Sequence, residues 1–93
     1  MIQTIKLNEH LRAHTIEEGR LSGDARILGF AFVNGDLLMY VCDSNPDSGH
    51  WPARHLELYK LHEKFADNTK GYLGLAVHPV DGYVVTVWQR ISN

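Results

Sequence analysis

Two stretches of this 93-residue chain have the pattern of β-hairpins with apolar residues on both faces. They cover about residues 25–43 and 72–91. A sheet that is apolar on both faces needs cover on each side, and so short a chain has little material to supply it. We therefore expect the second face to meet either the N-terminal segment of the same chain or a partner.

The first hairpin is centred on Asn34-Gly35, a pair that suits a two-residue turn with positive φ at both positions. Because side chains alternate along a strand, pairing outward from this turn divides the side chains between two faces. We call the face with more large apolar side chains the heavy face and the other the lighter face. The heavy face, expected to be core, pairs Phe32 with Leu37, Phe30 with Met39 and Leu28 with Val41. The lighter face pairs Ala31 with Leu38, Gly29 with Tyr40 and Ile27 with Cys42.

The second hairpin turns at Pro79-Val80-Asp81-Gly82, which suits a type I turn followed by a left-handed glycine. If Pro79 faces Tyr83, Gly74 lies opposite Trp88, as Gly29 lies opposite Tyr40 in the first hairpin. In that register the lighter face includes Tyr72, Thr86 and Trp88. A slip of one residue would exchange the two faces.

Between the hairpins, residues 52–67 are predicted to form an amphipathic helix that begins near Pro52. Residues 2–7 are predicted to be a strand, followed by a short helix capped by Asn8, although alternation through His10, Arg12 and His14 equally allows a strand. The predicted fold is α+β and a single domain, 1–93. It has an antiparallel sheet of four or five strands with one main helix across it.

Charge and composition exclude several classes of function. Nine Lys and Arg against eleven Asp and Glu give a net charge of -2, without the basic excess that nucleic-acid binding needs. No apolar run is long enough for a membrane-spanning helix. The single Cys42 cannot form an internal disulfide, and the first residues do not resemble a signal peptide, so we expect a cytoplasmic protein.

The predicted topology collects polar side chains at one end of the domain, where the first hairpin ends and the helix begins. The candidate ligand-binding residues are Asp43, Asp47, His50, Trp51, Arg54, His55 and His78. Acids, imidazoles and a guanidinium beside an indole can bind a polar ligand, but they can equally form an ordinary solvated loop end. Within this set, an enzyme would use His50, His55 and His78 for acid and base chemistry.

No metal or cofactor is predicted. His10, His14 and Glu18 would share one helix face, but histidines at this spacing commonly occur without a metal. The loop that begins at Asp43 resembles the opening of a calcium loop. The twelfth position of a calcium loop is a Glu that binds the ion through both carboxylate oxygens, but this loop has Arg54 at that position.

The function that we expect from these patterns is protein–protein interaction without catalysis, in a homodimer that uses the lighter sheet face. The candidate interface residues are Leu38, Tyr40, Tyr72, Thr86 and Trp88. A bacterial or phage inhibitor or adaptor is one form that such a protein takes. The alternatives are a small histidine-dependent hydrolase or nuclease, and a small-ligand-binding domain.

Overall fold

A computed structural model describes residues 2–43, 49–61 and 71–90. The strands are β1 (Ile2–Leu7), β2 (Ala13–Ile16), β3 (Arg26–Val33), β4 (Asp36–Cys42), β5 (Arg54–Lys60), β6 (Tyr72–Val77) and β7 (Val84–Gln89). They form a three-stranded sheet in the order β1-β4-β3 and a four-stranded sheet in the order β2-β5-β7-β6, with antiparallel pairing throughout. The described residues contain no helix, so the predicted α+β fold is wrong and this part of the chain is all-β.

The first hairpin confirms the predicted turn. Asn34 and Gly35 have φ of 51° and 84°, as a two-residue turn of this kind requires. The pairs nearest the turn are also as predicted: Phe32 with Leu37, Ala31 with Leu38, Phe30 with Met39 and Gly29 with Tyr40. The turn therefore sets the register of this hairpin over most of its length.

A β-bulge between Ile27 and Gly29 breaks the predicted pairing at the far end of the hairpin. Ile27 lies opposite Val41 instead of Cys42, and Leu28 is 57% exposed instead of being in the core. The bulge inserts one unpaired residue, so the positions before it change faces relative to the partner strand.

The register predicted for the second hairpin is wrong by one residue. Gly74 lies opposite Val87, and a second bulge brings Tyr72 opposite Trp88. The amide that closes the turn belongs to His78, which donates to the Tyr83 carbonyl at 2.8 Å. Pro79 has no N–H to donate, which explains why it cannot take that position.

The predicted helix over 52–67 is a strand over Arg54–Lys60, flanked by non-helical residues 52, 53 and 61, and residues 62–67 lie outside the described residues. This strand, β5, hydrogen bonds to β2 on one side and to β7 on the other. Leu56 and Leu58 are both buried, which is the period-two spacing of a strand. Pairing on both edges outweighs the helical spacing of the other apolar residues in this segment.

The N-terminal strand over residues 2–7 is confirmed as β1, but the predicted helix that follows it is a turn and then β2. Asn8 acts in that turn. Its side-chain oxygen accepts from the His10 amide at 2.9 Å, and its carbonyl accepts from the Leu11 amide at 3.1 Å. Asparagine favours both turns and helix caps, so the residue alone does not distinguish the two structures.

The inner faces of the two sheets share one hydrophobic core. Its buried members are Ile5, Leu7, Ile16, Leu21, Ala25, Leu37, Met39, Val41, Trp51, Leu56, Leu58, Ala76, Val85 and Val87. The sheets also meet where β3 lies beside β6, with the Phe30 ring packed close to Gly74. Leu7 and Ile16 are in this core and Leu11 is exposed, so these three apolar residues of the N-terminal segment do not cover the outer sheet faces.

Gly71, just before β6, allows the left-handed backbone conformation at this position to be tested. Its φ is +81°, and a Cβ there would lie 2.7 Å from the Gln89 carbonyl oxygen. We expect Gly71→Ala to lower the free energy of unfolding by about 1–3 kcal/mol, measured by urea denaturation. Gly29→Ala is the control, because nothing lies within 4 Å of its Cβ position, and it should change stability by less than about 1 kcal/mol. Equal effects of the two substitutions would contradict the left-handed conformation at Gly71.

Candidate functional site

Asp43, the first predicted ligand-binding residue, is buried at the end of β4. Its carboxylate accepts from the Ser22 amide at 3.2 Å and from the Ser22 hydroxyl, and the Gln3 amide group lies within 3.5 Å. His50 forms an isolated bridge with Ser22 and lines a shallow cleft of about 430 Å³ beside Asp43. The carboxylate therefore ties β4 to the segment before β3.

Trp51 and Arg54 form a second contact at this end of the molecule. Trp51 is buried, and the Arg54 guanidinium carbon lies over its ring, 4.2 Å from the ring centre. Arg54 also donates through Nη1 to the Gln89 side-chain oxygen at 2.8 Å. His55 is exposed and its Nδ1 lies 3.2 Å from the Thr15 hydroxyl. Consecutive strand residues point to opposite faces, so Arg54 and His55 do not share a site.

His78 lies at the other end of the four-stranded sheet. The Arg90 amide donates to the His55 carbonyl at 2.7 Å, whereas Lys60 pairs with Val85, next to the turn that holds His78. The five residue steps from His55 to Lys60 span roughly 17 Å along the strand. The prediction that His78 lies near His50 and His55 assumed a helix over 52–67. The strand that replaces this helix separates His78 from the other two histidines. Asp47 lies outside the described residues.

A polar and aromatic cluster surrounds His78 at that end. The His78 ring stacks on Tyr83 with centroids 4.6 Å apart, and the edge of Phe32 contacts it at 5.0 Å. The Tyr83 hydroxyl donates to the Glu9 carboxylate, and Lys60 Nζ lies 4.9 Å from the centre of the Tyr83 ring. The cluster joins both sheets to the β1–β2 turn. Glu9 and Tyr83 are 74 residues apart, and no local signal in the sequence pairs them.

The hydrogen bond to Glu9 is the main cause that raises the pKa of Tyr83 to about 12, with smaller contributions from burial and from the charges of Glu9 and Asp81. The phenol therefore stays protonated at neutral pH and acts as a donor. The Nδ1 of His78 accepts from the amides of Val80 at 3.3 Å and Asp81 at 3.2 Å, which places the proton of the neutral ring on Nε2.

The outer face of the four-stranded sheet is apolar and aromatic. We call it the Tyr72 face, and it consists of Tyr59, Tyr72, Leu75, Val77, Val84 and Trp88. Tyr72, Leu75 and Val77 are 51%, 45% and 52% exposed. The rings of Tyr72 and Trp88 meet edge to face, with centroids 4.9 Å apart. Large apolar side chains that are contiguous and half exposed characterise interaction surfaces.

Thr86 lies beneath this face. It is 3% exposed, its hydroxyl donates to the Tyr59 carbonyl at 2.8 Å, and it accepts from the Trp88 indole at 3.0 Å. Thr86 therefore holds Trp88 in position and cannot itself contact a partner. These two hydrogen bonds satisfy the buried hydroxyl, which explains why this buried position of the sheet carries a threonine.

The other two predicted interface residues, Leu38 and Tyr40, lie on β4 in the three-stranded sheet. Since the two sheets share a core through their inner faces, their outer faces point away from each other. The predicted interface is therefore divided between two surfaces. The outer face of the three-stranded sheet also carries Lys6, which pairs with Asp36 at 3.3 Å, and Arg26, which lies opposite Cys42.

Within the described residues, no three His, Cys, Asp or Glu side chains are placed to hold a metal ion together. His14 is in β2, so the helical row of His10, His14 and Glu18 does not form. The described part of the chain also contains no helix long and apolar enough to cross a membrane. Comparison with protein-family models, curated proteins and solved structures found no match to this chain.

The Tyr83–Glu9 hydrogen bond predicts a pH dependence of stability. The folded state holds the phenol proton up to pH about 12, whereas an unfolded tyrosine loses it near pH 10. This contribution is fully present below pH 10 and is lost as the pH rises to about 12. Unfolding by urea between pH 8 and 11.5 should therefore show a smaller alkaline loss of stability for Tyr83→Phe than for the wild type.

Tyr40→Phe is the matched control for this measurement, because Tyr40 lies on the outer face of the other sheet. It should retain the wild-type pH slope. An identical alkaline slope in Tyr83→Phe and the wild type would contradict the coupling between Tyr83 and Glu9.

Proposed function

We propose that this protein is a small interaction module that self-associates through the Tyr72 face and acts by contact, without catalysis. The observation that carries the proposal is the half exposure of Tyr72, Leu75 and Val77 beside Trp88. Burial of such side chains is the main source of affinity at interfaces, and Tyr and Trp are enriched at the positions that contribute most.

The charge distribution favours a second copy of the chain as the partner. In a two-fold dimer the same surface occurs on both sides, so it must be complementary to itself. The six side chains of the Tyr72 face are uncharged. Two charged residues adjoin them: Glu57 lies opposite Trp88 and 3.3 Å from the Tyr59 hydroxyl, and the Arg12 guanidinium lies over the Tyr59 ring. The part of the face on β6 carries no charged residue, so two copies can meet there without placing like charges together. The outer face of the three-stranded sheet carries Lys6 and Arg26, which a two-fold contact would bring near their own copies.

The size of the face predicts a weak dimer. The face spans three strands about 4.8 Å apart and six residues of about 3.3 Å each, which cover roughly 285 Å² in projection. A standard interface buries about 800 Å² of accessible surface on each partner. We therefore expect dissociation at concentrations on the order of micromolar.

The same surface can serve an inhibitor or adaptor that binds a target protein. We propose a cytoplasmic location, supported by Cys42, which is a free thiol. A histidine-dependent hydrolase is less well supported, because β5 separates His78 from His50 and His55.

Sedimentation equilibrium over a dilution series from about 500 µM to 1 µM tests this interface. Leu75→Lys and Val77→Lys place a charge on the face at exposed positions that the fold tolerates. Each should weaken self-association by about 100-fold or more, because an unpaired charge must lose its water in the contact. Val80→Lys is the matched control, since Val80 is exposed in the turn beyond β6, and it should behave as the wild type.

Two results would overturn the proposal. One is a wild-type protein that stays monomeric at every concentration. The other is dissociation by Ile2→Lys while Leu75→Lys remains dimeric. Ile2 is exposed on the outer face of the three-stranded sheet, so that result would assign the interface to the other surface.

A further inference from the structure

His14 lies in β2 on the same face as the buried Ile16. Its Nε2 accepts from the Asn8 amide at 2.9 Å, across the β1–β2 turn. Its Nδ1 is buried and has no hydrogen-bond partner among the described residues. A ring nitrogen that accepts a hydrogen bond carries no proton, so the neutral ring holds its proton on Nδ1. The bond from Asn8 therefore exists only while His14 is neutral.

The turn that this bond closes connects the two sheets. It runs from β1 of the three-stranded sheet to β2 of the four-stranded sheet. Asn8 begins the turn and accepts from the amides of His10 and Leu11. Glu9 follows, and its carboxylate accepts from the Tyr83 hydroxyl. A change in the turn at Asn8 therefore also moves the residue that binds Tyr83.

We propose that His14 is an acid-sensitive switch, which holds the β1–β2 turn closed when its ring is neutral and opens the turn when the ring is protonated. Protonation places an N–H where the Asn8 amide needs an acceptor, so two donors point at each other. Nδ1–H also stays buried without a partner among the described residues. Unpaired buried donors are costly, and more so on a charged ring. The ring therefore moves towards water, and Glu9 is no longer held against Tyr83.

The strand that packs against β2 adds no negative charge on the side of His14. Leu56 of β5 lies directly opposite His14. Arg54 and Lys60 share the face of Leu56, and both are cations, so they oppose a positive charge on the ring. The residues on either side of Leu56 point to the opposite face.

The turn contributes three titratable residues, Glu9, His10 and Arg12. The Glu9 carboxylate already accepts from Tyr83, and the Arg12 guanidinium lies over the Tyr59 ring. His10 is exposed. The closed turn therefore directs its anion to Tyr83.

Burial is the largest cause that lowers the pKa of His14, and it outweighs an opposite effect of the Asn8 backbone. An unfolded histidine titrates near pH 6.5, so the folded protein takes up this proton only at a lower pH. The contribution of the neutral ring to stability is therefore fully present above pH 6.5 and is lost as the pH falls below it.

Nuclear magnetic resonance between about pH 7.5 and 5 tests the switch, since most carboxylates stay ionised in this range. At pH 7.5 the ring nitrogen shifts should show the proton on Nδ1. The Asn8 amide shift should then move with the same midpoint as the His14 ring, below pH 6.5. Protection of the Asn8 and Leu11 amides against hydrogen exchange should fall by about 10-fold at pH 5.

His14→Gln keeps a side-chain oxygen that can accept from Asn8 but does not titrate, so it should abolish the pH transition at Asn8. His10→Gln is the matched control, because His10 is an exposed histidine of the same turn. It should retain the transition.

Urea denaturation tests whether the switch reaches Tyr83. At pH 7.5, Tyr83→Phe should raise the equilibrium constant for unfolding by about 5-fold, because it removes the hydrogen bond to Glu9. At pH 5 this effect should disappear in the wild-type background and persist in the His14→Gln background.

The proposal fails if the Asn8 amide does not respond to the titration of His14, or if His14→Gln shows the wild-type transition. It also fails if Tyr83→Phe has the same effect at both pH values in the wild-type background. The Leu75→Lys variant should show the transition of the wild type, since His14 lies on the inner face and the switch does not depend on self-association. Loss of the transition in that variant would assign it to the contact between copies and overturn the switch.

Discussion

The structure depends on one constraint: two small sheets bury a single core between their inner faces. Alternation along β4 turns Leu37, Met39 and Val41 towards the core, and Val85 and Val87 of β7 meet them from the other sheet. Burial of these side chains is the main favourable contribution to folding. With the inner faces used in this way, the two outer faces are not part of the core that the described residues form. The Tyr72 face is a direct consequence of this arrangement.

The ends of the core are closed by polar contacts of different kinds. Near the end of β4, the buried Asp43 carboxylate satisfies the amide and hydroxyl of Ser22. At the other end, Tyr83 links Glu9, His78 and Phe32 through a hydrogen bond and ring contacts.

The local sequence pattern predicted the first hairpin well and β5 poorly. The first hairpin is specified by preferences of its own residues, whereas β5 is specified by strands that are distant in the sequence. A two-residue turn at Asn34-Gly35 is encoded by φ preferences within the turn itself. The segment Arg54–Lys60 is a strand because β2 and β7 supply hydrogen bonds on both of its edges. Those partners lie far away in sequence, so apolar spacing alone suggested a helix. Apolar alternation alone does not predict the bulge near Leu28, although Gly29 adjoins it and a glycine inside a strand often marks a bulge.

By itself, the sequence determined the strand at residues 2–7, the two hairpins with their turns, and the presence of apolar side chains on both faces of the hairpins. These features follow from φ preferences and from the alternation of side chains, both of which act over a few residues. Only the tertiary structure decided which surfaces the exposed residues share. It placed Tyr40 and Trp88 on different sheets, separated His78 from His55, and brought Glu9 to Tyr83. Such contacts join residues that are distant in the chain, and no local preference encodes them.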